Sequence, residues 1–123
     1  MADLLRGLAV LIVEDEFYLA DDLAAALVGV GARVLGPFGR IEDASRLLES
    51  GEAVDLAILD IDLAGDRVFP VADLLRERGA PFVFVTGYDP EIIPSRFVGV
   101  PRLEKPVTAA TVIHLLEALQ QAR

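Results

Sequence analysis

Five short apolar runs restrict what this chain can fold into. Residues 8–13, 33–35, 56–59, 82–85 and 98–103 are rich in Val, Ile, Leu and Phe. Each is strand-sized, and continuous apolar runs with little alternation suit strands buried on both faces of a parallel sheet. The second run opens with the charged Arg33, and the fifth contains Gly99 and Pro101. Proline has no amide hydrogen to give a ladder, so the fifth run reads as an edge or strand end, and the short second run as the other edge.

Helical periodicity fills the gaps. Ala20, Leu23, Ala24 and Leu27 fall at i, i+3, i+4 and i+7, one face of a helix that Gly29 and Gly31 end. Ile41, Ala44 and Leu48 form a shorter stripe that stops at Gly51. Val71, Leu74 and Leu75 follow Pro70, a residue tolerated in a first turn, and Gly79 closes that stripe. Val112, Leu115, Leu116 and Leu119 follow Thr108, whose hydroxyl suits an N-cap. Pro90 and Pro94 forbid a continuous helix between them, so residues 89–97 are expected to form a short, irregular and mobile turn. Strands alternating with helices predict one doubly wound α/β domain over residues 1–123. Its five-stranded parallel sheet takes the order 2-1-3-4-5, with helices on both faces.

Composition narrows the function classes. The chain has no cysteine, so disulfides and thiolate metal sites are excluded. Its net charge of −9 repels nucleic acid backbones and anionic lipid, which favours proteins or cations as partners over direct nucleic acid or membrane binding. No apolar run approaches the ~18 residues of a bilayer span, and no basic start precedes an apolar stretch. A cytoplasmic setting is expected.

Parallel sheets of this kind bind ligands beyond the carboxyl ends of their strands. Those ends carry Glu14-Asp15-Glu16, Asp60-Ile61-Asp62, Thr86-Gly87-Tyr88 and Glu104-Lys105-Pro106. Strands one and three are neighbours in the expected order, so Glu14, Asp15 and Asp60 should converge. Their mutual repulsion calls for a cation or a shared proton. Oxygen donors without His or Cys favour a hard ion, Mg²⁺ before Ca²⁺ or Mn²⁺. Lys105 supplies an ammonium and Thr86 a hydroxyl to contact phosphoryl oxygens. A carboxylate nucleophile, a cation, a lysine and a hydroxyl suffice for phosphoryl transfer onto Asp60, which is mostly positioning and charge neutralisation.

Along its whole length the chain resembles the receiver domain of two-component response regulators. The resemblance rests on Val10-Leu11-Ile12-Val13-Glu14-Asp15-Glu16, Leu59-Asp60-Ile61-Asp62-Leu63, Val85-Thr86-Gly87-Tyr88 and Leu103-Glu104-Lys105-Pro106. It implies a flavodoxin-like fold with Asp60 as phosphoacceptor, charged by a histidine kinase or a phosphotransfer protein. It also implies Mg²⁺ on Asp15, Asp60 and the backbone carbonyl of Asp62, with Glu14 acting through water. Thr86 resembles the switch hydroxyl, and Lys105 the lysine before a cis proline. Turnover beyond Mg²⁺-dependent self-phosphorylation and autodephosphorylation is not expected. The Thr-Gly-Tyr stretch after strand four resembles receivers that often stand alone, and with Arg123 directly after the last helix no output domain is expected, although a receiver cut from a longer regulator would read the same.

One departure stands out. Most receivers carry an aromatic residue three positions before the lysine, where this chain has Arg102. Tyr88 and the loop after it are therefore expected to carry the switch, with Arg102 replacing the aromatic. Glu16 and Asp66 are expected on the rim, at helix N-termini. His114 lies off the last helix's apolar face and is expected in solvent or at an interface. The last strand and helix offer a face for a downstream protein or a weak dimer; otherwise the chain is a monomer. Two alternatives stay open: a haloacid-dehalogenase-like phosphatase, which also uses Asp-x-Asp, and a receiver-like binding module that is never phosphorylated.

Overall fold

The computed structural model describes residues 3–87 and 93–122. In chain order these form β1 (Ala9–Val13), α1 (Phe17–Gly29), β2 (Arg33–Phe38), α2 (Ile41–Glu49), β3 (Leu56–Asp60) and β4 (Asp62–Leu63). Then follow β5 (Asp66–Arg67), α3 (Phe69–Glu77), β6 (Phe82–Thr86), a 3₁₀ turn at Ser95–Phe97, β7 (Arg102–Glu104) and α4 (Ala109–Gln121). The main sheet runs β2-β1-β3-β6-β7, every pair parallel. This is the expected 2-1-3-4-5 once the small β4–β5 hairpin is set aside.

The central strands β1, β3 and β6 are buried at every residue. Their side chains alternate between two cores. Leu11, Val13, Ala57, Leu59, Phe82 and Phe84 pack toward α2 and α3. Val10, Ile12, Leu56, Ile58, Val83 and Val85 pack toward α1 and α4. Each fully buried Leu, Ile, Val or Phe is worth about 1.5–3 kcal/mol, so these two layers outweigh any single polar contact in holding the sheet. Thr108 caps α4 as expected, accepting the amide of Thr111 at 3.2 Å.

The edges differ from the sequence expectation in extent. β2 runs three residues past Leu35, through Gly36 and Pro37, with an irregular register opposite residues 11–13. Gly36 makes that possible: its φ is +94°, and an added Cβ would lie 2.9 Å from the Ile12 carbonyl oxygen. β7 starts later than the apolar run, because residues 95–97 form the 3₁₀ turn and residues 98–100 stay outside the ladder. Pro101 still joins it as an acceptor, its carbonyl taking the Phe84 amide at 2.9 Å. The β4–β5 hairpin has no counterpart in the apolar pattern. Ala64 and Gly65 turn it with φ of 51° and 95°, the two positive angles that a type I′ turn requires. Among the described residues two X-Pro bonds are cis, Gly36–Pro37 and the expected Lys105–Pro106. Of the 89–97 loop only its last residues are described. Tyr88 lies outside the described residues. Among those described, no helix is long and apolar enough to cross a membrane.

Candidate functional site

Four strand ends deliver the site. β1 releases Glu14 and Asp15, β3 ends on Asp60, β6 ends on Thr86, and β7 leads into Lys105. Backbone hydrogen bonds continue the ladders past the strands and fix these positions. The Glu14 amide donates to the Phe38 carbonyl at 2.8 Å, and the Lys105 amide to the Thr86 carbonyl at 2.7 Å.

The side chains converge as the sequence implied. Carboxylate oxygens of Glu14, Asp15 and Asp60 lie within 4.8 Å of one another. Lys105 Nζ donates to Glu14 Oε2 at 3.1 Å, to Asp60 Oδ2 at 3.1 Å and to Glu16 Oε2 at 3.0 Å. Glu14 and Asp60 are buried, while Asp15 opens to solvent. Beside Glu14 and Asp15 a cavity of about 340 Å³ is lined also by Phe17, Ala20, Pro37 and Gly39.

Electrostatics follow from this packing. Burial, then the neighbouring Asp60 charge, push the Glu14 carboxyl up to about 7. Burial also raises Asp60, although Glu14, Lys105 and the Asp62 amide pull it back in part. For Lys105 burial is the largest single influence and disfavours the ammonium. Together Glu16, Asp60 and Glu14 outweigh it and hold the ammonium pKa above its ordinary value. One positive charge thus faces four carboxylates.

The donor set fits a hard divalent cation. It is all oxygen and carries excess negative charge, and Glu14 Oε1 is buried with no hydrogen-bond partner among the described residues. A buried polar atom without a partner costs free energy, and an ion or its water shell would relieve it.

The remaining predicted residues divide. The Asp62 side chain is exposed and accepts the Gly65 amide, while its own amide donates to Asp60 Oδ1 at 3.2 Å. That bond orients the Asp60 carboxyl. Thr86 is buried, but its hydroxyl donates to the adjacent Gly87 carbonyl at 3.4 Å rather than reaching Asp60 or Lys105. Arg102 is exposed on β7 and lines a cavity of about 230 Å³ with Ile93, Phe97, Val98 and Val100. On this side of the sheet Phe97 is buried, stacked with Phe69 and edge-on to Phe82 and Phe84. His114 is exposed, as expected. Sequence reasoning missed the role of Glu16, which faces Lys105 besides opening α1. The signal was present, because in an extended segment Glu16 shares a side with Glu14 two residues earlier.

No family model matches the chain. Over 91 residues it is 33% identical to the phyllosphere-induced regulator PhyR of Methylorubrum extorquens, a stretch that covers 72% of the chain and 32% of PhyR. The chain spans about a third of the length of the curated relatives it matches. A response regulator receiver protein from Sinorhizobium medicae superposes with a TM-score of 0.78 at 26% identity, covering 94% of this chain and 96% of that one. SdrG from Pseudomonas melonis Fr1, in its BeF3-activated conformation, is 38% identical with a TM-score of 0.73, covering 91% of this chain and 95% of that one. With SdrG alike over nearly its full length, and the strand ends converging on one acidic pocket, the chain belongs to the receiver domains of two-component response regulators.

Proposed function

We propose that residues 1–123 act as one receiver unit in which Asp60 accepts a phosphoryl group from the phosphohistidine of a histidine kinase or phosphotransfer protein. One observation carries this reading: Lys105 bridges the buried Asp60 and Glu14, with Asp15 beside them. An Asp60 carboxylate oxygen forms the new P–O bond while the P–N bond to the donor imidazole breaks. The imidazole leaves as a neutral ring after taking up a proton. Lys105 faces the negative charge of the transferring group as a point charge. The Asp62 amide holds the Asp60 carboxyl in orientation. Thr86 would turn its hydroxyl from Gly87 toward the phosphoryl oxygens, which is the rearrangement a switch needs. Asp15, Asp60 and the Asp62 backbone carbonyl would hold Mg²⁺, with Glu14 acting through water. The ion would neutralise charge between acceptor and donor. The output is a changed affinity for a downstream protein in the cytoplasm, with Tyr88 and Arg102 as the switch elements and the last strand and helix as the face. The chain is then a substrate and a switch, not a turnover catalyst.

Intact mass spectrometry tests this. With acetyl phosphate and Mg²⁺ the protein should gain one phosphoryl group, and Asp60→Asn should gain none. No gain in the native protein would make it a binding module that is never phosphorylated. Sustained turnover of a generic phosphate ester would favour the phosphatase alternative.

A further inference from the structure

Lys105 has three ammonium hydrogens, and three carboxylates take them: Glu14 at 3.1 Å, Asp60 at 3.1 Å and Glu16 at 3.0 Å. The ammonium is saturated. A phosphoryl oxygen reaches it only if one carboxylate leaves. We propose that Glu16 is an exchangeable stand-in, which occupies the third hydrogen of Lys105 while Glu14 and Asp60 hold that ammonium in the site, and which gives way to the phosphoryl group. This rests on the phosphoacceptor reading of Asp60.

Burial selects Glu16 among the three. The side chains of Glu14 and Asp60 are 1% and 5% exposed, that of Glu16 58%. Glu14 Oε2 also accepts the Glu16 amide at 3.0 Å, and Asp60 Oδ1 accepts the Asp62 amide at 3.2 Å, so both carboxylates are tied twice. Among the described residues the Glu16 carboxylate has Lys105 as its hydrogen-bond partner. A carboxylate that swings into water recovers its hydration, whereas Glu14 or Asp60 would be stranded in the pocket. Glu16 also stands outside the trio whose oxygens lie within 4.8 Å of one another, so its departure leaves that donor set whole. An exposed ion pair is a weak contact, so Glu16 lowers the affinity for an incoming anion by about two- to five-fold.

The test uses beryllofluoride, a phosphoryl mimic, titrated calorimetrically at saturating Mg²⁺ into the native protein, Glu16→Gln, Glu16→Asp and Asp60→Asn. Glu16→Gln should bind about two- to five-fold tighter. Its acetyl phosphate labelling should reach half-maximal rate at a correspondingly lower donor concentration, with the maximal rate little changed. Glu16→Asp, which restores the charge, should return both quantities toward the native values. A merely structural role at the start of α1 would move the melting temperature instead and leave that concentration unchanged. Native protein that binds beryllofluoride with the same affinity as Glu16→Gln overturns the stand-in while leaving Asp60 as acceptor. Native protein that neither binds the mimic nor labels overturns both.

Discussion

Glu14 is a residue whose ionisation the fold disfavours. Its carboxyl titrates near 7 in the folded protein, because burial and then Asp60 disfavour the charge, against an ordinary value of 4.5. The folded pKa exceeds the unfolded one, so between these values the folded state binds more protons. Stability contributed by neutral Glu14 is fully present below pH 4.5 and is lost as pH rises through about 7. In metal-free protein the urea midpoint should therefore fall from pH 5 to pH 8, and Glu14→Gln should flatten that decline. A midpoint that rises over this window in the native protein, or an equal decline in the variant, would contradict the assignment to Glu14. Saturating Mg²⁺ should also flatten the decline, since a cation among the carboxylates favours the ionised forms.

Among the elements, β2 carries the sharpest steric requirement. Gly36 sits at φ +94°, and a Cβ there would lie 2.8 Å from the Phe38 amide nitrogen and 2.9 Å from the Ile12 carbonyl oxygen. Both obstacles are backbone and cannot turn aside. Gly36→Ala should destabilise the protein by about 2–4 kcal/mol, combining a left-handed conformation with a clash against β1. Chemical denaturation measures this, and a loss below about 0.5 kcal/mol would mean that β2 slips its register at no cost. The same strand shows where the sequence was legible. β1, β3 and β6 were readable because burial on both faces leaves an unbroken apolar run. β2 past Leu35 was not, since Gly36-Pro37 reads as a terminator and only the approach of Ile12 explains its place. The β4–β5 hairpin was hidden because Ala64 is not a residue whose sequence announces a positive φ. In the site, Glu14, Asp15, Asp60 and Lys105 were legible because strand ends fix backbone position. The two-residue spacing put Glu16 on the side of Glu14, but its bond to Lys105, like that of the Thr86 hydroxyl to Gly87, also depends on a rotamer. The guanidiniums of Arg76 and Arg96, 5.0 and 4.7 Å from the Phe97 ring centroid, arise from tertiary packing alone.

At the scale of the whole molecule, charge is unevenly matched. The chain carries −9 overall, and four carboxylates gather round one lysine at the carboxyl end of the sheet. The apolar layers bear this repulsion without contributing to the chemistry. Burial already raises the Asp60 pKa, so its ionised form costs the folded state free energy at neutral pH. Asp60→Asn removes that charge yet keeps the side-chain volume, and Lys105 retains Glu14 and Glu16 as partners. The variant should be more stable than the native protein by about 1 kcal/mol at pH 7.5 without metal, a rise of about 3–5 °C in melting temperature for a domain of this size. It should also lose most of the stabilisation that millimolar Mg²⁺ gives the native protein, because ligand stabilisation scales with the affinity of the folded state. Thermal melts with and without Mg²⁺ separate the two effects. A variant that melts lower than the native protein in the absence of metal would mean that the Lys105–Asp60 contact outweighs the repulsion. The acidic end would then be a net source of stability.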